Sequence, residues 1–144
     1  MPLSTTPTIP AFERSPEIEA VQETYAAINR DDVPAAVKAF DPQMEWIEPR
    51  DFPTPGTYRG QAEVMAHISR GRNTWAEGGC EPERFIVAGD KIVVFVHVRV
   101  RLKDHTEWID ARIADVFTFR NGKVIQVRSF VERQAALGWA GTKA

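Results

Sequence analysis

The chain has 144 residues, 43% of them hydrophobic, with 18 basic and 20 acidic side chains and a formal net charge of −2. That is one domain with enough apolar residues for a core. It has no cationic footprint for nucleic acid, no polybasic patch for a membrane surface, and no apolar run near the ~18 residues of a membrane span.

The single cysteine, Cys80, excludes an intramolecular disulfide and fits a reducing compartment, so a cytoplasmic protein is expected. Residues 1–14 are rich in proline, serine and threonine and lack the basic start and apolar core of a signal peptide. They read as a flexible arm ahead of a domain over 15–136, with 137–144 as a tail.

Ser15, Pro16 and Glu17 open a helix with an N-cap, a first-turn proline and an acid at the positive end of the helix dipole. Ile18, Val21, Tyr25 and Ile28 then form a stripe at spacings of three and four. Asp32 caps a short second helix carrying Val33, Val37 and Phe40. "MEWIEP", residues 44–49, reads as a strand, and its alternation puts Trp46 and Glu48 on one face. A proline-rich loop follows, and the spacing predicts a third helix over residues 60–77, with Val64, Ile68 and Trp75 on one side.

From there the period becomes two. "ERFIVAG" is a strand ending in the Gly89–Asp90 turn. "KIVVFVHVRVRL" puts Val94, Val96, Val98, Val100 and Leu102 on one face, and Val93, Phe95, His97, Arg99 and Arg101 on the other. "TEWIDARIADVFTF" is a long strand in which Asp115 shares a face with Ile109, Ala111, Ile113, Phe117 and Phe119. Asn121–Gly122 is a hairpin turn, and "KVIQVRSFVER" is the last strand. Helices followed by a run of long strands predict an α+β fold, a curved antiparallel sheet wrapped around a helix.

Asp115 stands out without further context. A carboxylate in an apolar row must be paired, hydrogen-bonded or protonated, and its alternatives are a structural acid or a functional one. Glu48, at a strand end before Pro49, is either a solvated acid near Arg50 or a second functional carboxyl. Cys80 reads as a small buried filler. The three histidines have no metal-site spacing, and there is neither a phosphate loop nor a nucleophile elbow.

The stretches "YAAINRDDVPAAVKAFDPQMEW", "PGTYRGQAEVMAHI" and "ADVFTFRNGKVIQVRSFVE" together resemble the NTF2-like superfamily, in particular its SnoaL-like and ketosteroid-isomerase-related members. The resemblance spans about residues 16–134. It implies a cone-shaped sheet closed by helices over an internal pocket, and a homodimer through the sheet's outer face, with Val93, Phe95 and His97 covered by the second chain.

It also implies cofactor-free acid–base chemistry, of isomerase or cyclase type, on a small apolar carbonyl compound. Glu48 takes the position of the isomerases' base, and Asp115 that of their second pocket acid, kept neutral to hydrogen-bond an enolate oxygen. Trp46, Phe52, Tyr58, His67, Ile113, Phe117, Val127 and Ser129 are the expected substrate-binding residues.

The resemblance puts Thr24 where the isomerases carry a helix tyrosine. Tyr25 lies one residue on, about 100° around the helix, so steroid isomerisation itself is not expected. Glu132, in "FVE", is similar to an acid that ends the last strand of SnoaL-like cyclases, but alternation places it on the polar face. The alternative function is a non-catalytic ligand-binding or protein-interaction module.

Overall fold

The computed structural model describes residues 15–143. The expected N-terminal arm lies outside these residues. The elements are α1 (Pro16–Asn29), α2 (Val33–Ala36), β1 (Phe40–Glu48), β2 (Gly56–Arg59), α3 (Gln61–Arg72), β3 (Trp75–Ala88), β4 (Lys91–Leu102), β5 (Trp108–Arg120), β6 (Lys123–Phe130) and α4 (Arg133–Ala140). The fold is α+β, a curved sheet of six strands ordered β2–β1–β6–β5–β4–β3. Its two edges, β2 and β3, are not paired with each other, so the sheet is open.

The sheet is mixed where the sequence predicts an antiparallel one. β1 runs parallel to β6, while every other neighbouring pair is antiparallel. The reason lies in the connections. β3 to β6 follow one another by tight turns, whereas β1 comes from between helices and joins β6 across a long span of chain. Asn121 and Gly122 take φ of 53° and 78°, as a two-residue hairpin turn requires.

The main core lies between the inner face of the sheet and α1–α3. Ile18, Val21 and Tyr25 of α1 pack there with Val64 and Ile68 of α3 and with Val94, Val96, Phe117 and Val127 of the sheet. Ser15 caps α1 by accepting from the Ile18 N–H at 3.1 Å, and Asp32 caps α2 through the Ala35 N–H.

Three elements differ from the sequence reading. α3 stops at Arg72, and Trp75 begins β3 with the Arg72 guanidinium 5.0 Å over its ring. β3 therefore runs straight through the "EGG" segment. Gly78 allows this: its φ is +105°, and a Cβ there would lie 2.1 Å from the Arg99 carbonyl oxygen. The register shifts beside it, between Trp75 and Glu77. β2 is a four-residue edge strand within the stretch read as loop and helix entry.

The third difference is α4, which has no counterpart in the sequence reading. Its Ala136 and Leu137 pack on Val93, Phe95, Ala114 and Val116, a second core on the outer face of the sheet. Val93 and Phe95, expected beneath a partner chain, are therefore buried by the chain's own helix. Beyond α4 the outer face holds polar pairs, His97 with Asp110 at 2.7 Å and Arg112 with Glu83, and Arg133 of α4 reaches the same Glu83. Glu132 is the exposed N-cap residue of α4.

Candidate functional site

Two polar clusters interrupt the apolar interior. The first is built on β1. Alternation turns Trp46 and Glu48 to the inner face, and Pro49 follows the strand's last residue. Gly60, with a φ of +85°, donates its N–H to the Met44 carbonyl at 2.8 Å and so pins the start of α3 to β1. His67, two turns into α3 beside Val64 and Ile68, is thereby turned inward and is 5% exposed.

Glu48 Oε2 accepts from Trp46 Nε1 at 2.9 Å and lies 2.9 Å from His67 Nε2, and its Oε1 accepts from Thr54 Oγ1 at 3.2 Å. Arg50, the partner offered by the sequence, is exposed. A carboxylate only accepts, so against an ionised Glu48 the hydrogen of the His67 contact sits on Nε2, and in the neutral ring Nδ1 is then the acceptor. The Tyr58 ring stacks on His67 at 3.8 Å and 16°, and its hydroxyl donates to the Thr54 carbonyl at 2.9 Å. Glu48 is thus an acid that orients a histidine.

The second cluster is more deeply buried. Asp115 Oδ2 accepts from the Tyr25 hydroxyl at 2.6 Å, and Oδ1 from Ser129 Oγ at 2.7 Å. All three residues are 5% exposed or less. The Tyr25 ring meets Phe117 edge-on at 5.9 Å. Burial pushes the Asp115 carboxyl from 3.8 up to about 6; the Tyr25 and Ser129 donors pull it down, and the charge of Glu48 pushes it up. Burial, then the charge of Asp115, raises the Tyr25 phenol well above its ordinary value, so Tyr25 keeps its proton.

The resemblance implies a neutral, donating Asp115; in the structure both of its oxygens accept, from Tyr25 and from Ser129. A larger correction concerns α1. Thr24, aligned with the catalytic tyrosine position, donates to the Ala20 and Ala36 carbonyls and joins α1 to α2. The neighbouring Tyr25 makes the polar contact. The signal was in the sequence: Tyr25 belongs to the stripe facing the core, and a buried phenol needs a partner.

Val127 links the clusters. It pairs with Trp46 on β1 and with Phe117 on β5, while Ser129 pairs with Asp115. Of the expected site residues, Trp46, Tyr58 and His67 surround Glu48, and Phe117, Ser129 and Val127 lie at or beside Asp115. Ile113 is half-buried against the main core, two residues before Asp115 on the same face. Phe52 sits half-buried in the turn after β1, with its N–H bonded to the Pro49 carbonyl. Thr54 was not anticipated.

The Cys80 backbone N–H and carbonyl are both bonded to the Asn29 side chain, and burial pushes the thiol up to about 12, away from the thiolate. Among the described residues no group of three or more His, Cys, Asp or Glu side chains is placed to hold a metal ion, and no helix is long and apolar enough to cross a membrane.

Comparison with known proteins gives the family and the fold. The family model of a SnoaL-like domain matches residues 21–127. No curated protein sequence matches significantly. Among solved structures, an NTF2-like protein from Burkholderia pseudomallei is 26% identical, with a TM-score of 0.74, covering 90% of this chain and 100% of its own. TerC, co-crystallised with polyporic acid, is 24% identical with a TM-score of 0.72, covering 89% and 100%. A protein with a ketosteroid isomerase-like fold from Catenulispora acidiphila, in complex with trimethylamine, is 14% identical with a TM-score of 0.71, covering 87% and 94%. The fold is NTF2-like.

Proposed function

The chain belongs to the SnoaL-like domain family, and on that premise we propose that it is a cofactor-free acid–base enzyme for a small, mainly apolar carbonyl compound bound in an internal pocket. One observation carries the reading: the inner face of the sheet brings two unlike polar clusters to either side of Val127, a histidine oriented by Glu48 and a phenol bonded to buried Asp115. His67 Nδ1, backed by Glu48, takes a proton from the carbon next to the carbonyl. The oxygen that gains charge accepts from the Tyr25 hydroxyl, whose proton is freed when Asp115 is protonated and donates to the phenolic oxygen in turn. Trp46, Phe117, Val127 and Ile113 supply apolar walls, and Phe52 and Tyr58 the mouth. That two neighbours with this fold were crystallised with small organic molecules fits such a pocket.

The test is deuterium incorporation next to the carbonyl of a panel of small cyclic ketones and 1,3-diketones in D₂O. The wild type exchanges at least one of them, and Glu48→Gln and Asp115→Asn lose the exchange. Wild-type exchange no faster than buffer would reject the reading, as would variants that keep it.

A second reading, ligand binding without turnover, is favoured by one fact: both oxygens of Glu48 and of Asp115 already have protein donors. Saturable ligand binding without exchange would decide for it. Homodimerisation through the part of the outer face beyond α4, where Arg99 stacks on Trp108 at 4.1 Å, belongs to the same proposal. A single monomeric species in sedimentation would reject it.

A further inference from the structure

The outer face of the sheet carries a polar row five strands wide. Arg59 on β2 pairs with Glu45 on β1, Glu45 with Gln126 on β6, Gln126 with Thr118 on β5, and Thr118 with Lys91 on β4. Cross-strand partners point to one side, and on β1 Glu45 points away from Trp46 and its interior cluster. The first half of the row is hydrogen-bonded: Arg59 Nε donates to Glu45 at 2.9 Å and Gln126 Nε2 at 3.4 Å. At Thr118 the chain of bonds breaks.

Thr118 is 7% exposed, and its Oγ1 has no hydrogen-bond partner among the described residues. Buried hydroxyls are almost always satisfied. This one lines a cleft of about 440 Å³ between the row and Trp139 of α4, a volume in the range of small-molecule sites. A second hollow of about 500 Å³ continues from it and shares Lys91 and Trp139.

The charges of the cleft decide what fits. Its lining has three cations, Arg59, Lys91 and Arg120, against two carboxylates, Asp41 and Glu45. Glu45 is engaged by Arg59 and Gln126, and Asp41 accepts from the Gln43 N–H at 2.9 Å. Lys91 meets the exposed Asp90 at 3.2 Å and lies 5.2 Å over the Trp139 ring, and Arg120 follows Thr118 by two residues on the same side of β5. Around the unpartnered hydroxyl the lining therefore carries a small excess of donors and positive charge, three cations against two carboxylates. The Trp139 indole, 39% exposed, forms one wall, with the Lys91 ammonium 5.2 Å and the Arg128 guanidinium 5.0 Å from its ring.

We propose that this cleft binds a small organic anion, its carboxylate or other acidic group accepting from Thr118, Lys91 and Arg120 while its apolar body lies along Trp139. The site is on the opposite side of the sheet from the two interior clusters and does not depend on their chemistry. Charge-assisted hydrogen bonds give the recognition its strength, and the indole makes a planar body preferable to a bare ion.

Titration calorimetry at low salt tests it, with benzoate as probe, benzamide as its neutral counterpart and inorganic phosphate as the bare anion. Benzoate is expected to saturate one site and to bind about tenfold or more tightly than benzamide. Lys91→Met with Arg120→Met should weaken benzoate by about tenfold or more. Thr118→Val, which removes only an unpartnered hydroxyl and should leave the fold intact, should weaken it several-fold. Glu48→Gln and Asp115→Asn should bind benzoate as the wild type does, which separates this site from the interior one. Equal binding of benzamide, no saturable benzoate binding, binding untouched by the cleft substitutions, or phosphate bound as tightly as benzoate would each overturn the proposal.

Discussion

The hydroxyl of Tyr25 lies 2.6 Å from Oδ2 of Asp115, ninety residues further along the chain, and both residues are buried. The bond joins the first helix to the fifth strand at the centre of the core. It gives a buried acid one of its two donors.

Asp115 sets a pH dependence of stability. Its folded pKa, about 6, is above the ordinary 3.8, so the folded state holds this proton more tightly than the unfolded chain does. The stability contributed by that proton is complete below about pH 4 and lost as pH rises through about 6, a change on the order of 3 kcal/mol. Asp115→Asn cannot ionise. Urea denaturation of wild type and variant from pH 4 to 7 should show the wild type losing stability relative to the variant over that window; parallel profiles would exclude the effect.

Tyr25→Phe removes a donor that pulls the Asp115 pKa down. The Asp115 carboxyl should then titrate above about 6, followed by the ¹³C shift of its carboxyl carbon. With Oδ2 left unpartnered, the variant should also lose about 1–3 kcal/mol of stability. An unchanged titration would show that the bond does not act on Asp115.

Glu48 and His67 should behave as one unit. If Glu48 works by holding His67, the exchange activity proposed above falls about 10²–10⁴-fold in Glu48→Gln or in His67→Gln. The double variant should fall little further than either single one. Additive losses, measured as exchange rates of all four proteins, would mean independent roles.

Two glycines should separate close approach from backbone conformation. Gly89→Ala meets nothing within 4 Å and carries only the strain of its φ of +62°, about 1 kcal/mol. Gly78→Ala drives a methyl group to 2.1 Å from a backbone oxygen, so β3 and β4 must separate locally, at a cost of several kcal/mol. Thermal melts should rank Gly78→Ala far below Gly89→Ala; similar melting temperatures would refute the bulge as described.

Much of this arrangement was legible in the chain. Period-two alternation put Asp115 among apolar neighbours and Trp46 with Glu48, and those faces are the ones observed. Tyr25 was misjudged because one residue of alignment on a helix turns a side chain by about 100°, and the apolar stripe was the better guide. β2 is too short for any period to register. α4 was missed for a different reason: its face is formed by Ala136, Leu137 and Ala140, too few apolar residues to signal a helix before the sheet they cover is known. The tie from Thr54 to Glu48 depends on loop conformation, which spacing does not encode.

The parallel pairing of β1 with β6 has a consequence for how the protein is made. Phe40 meets Val124, and Trp46 meets Val127, so β1 waits for the far end of the chain to find its neighbour in the sheet. The hairpins from β3 to β6 close short loops, but this pair closes a loop of some eighty residues and is entropically disfavoured until they have formed. Glu48 and Asp115 lie on either side of that seam. On the ribosome, a chain not yet extended past Lys123 carries β1 and β2 as an orphan hairpin with an open edge, the kind of species that chaperones recognise. The two polar clusters are then brought to either side of Val127 only at the end.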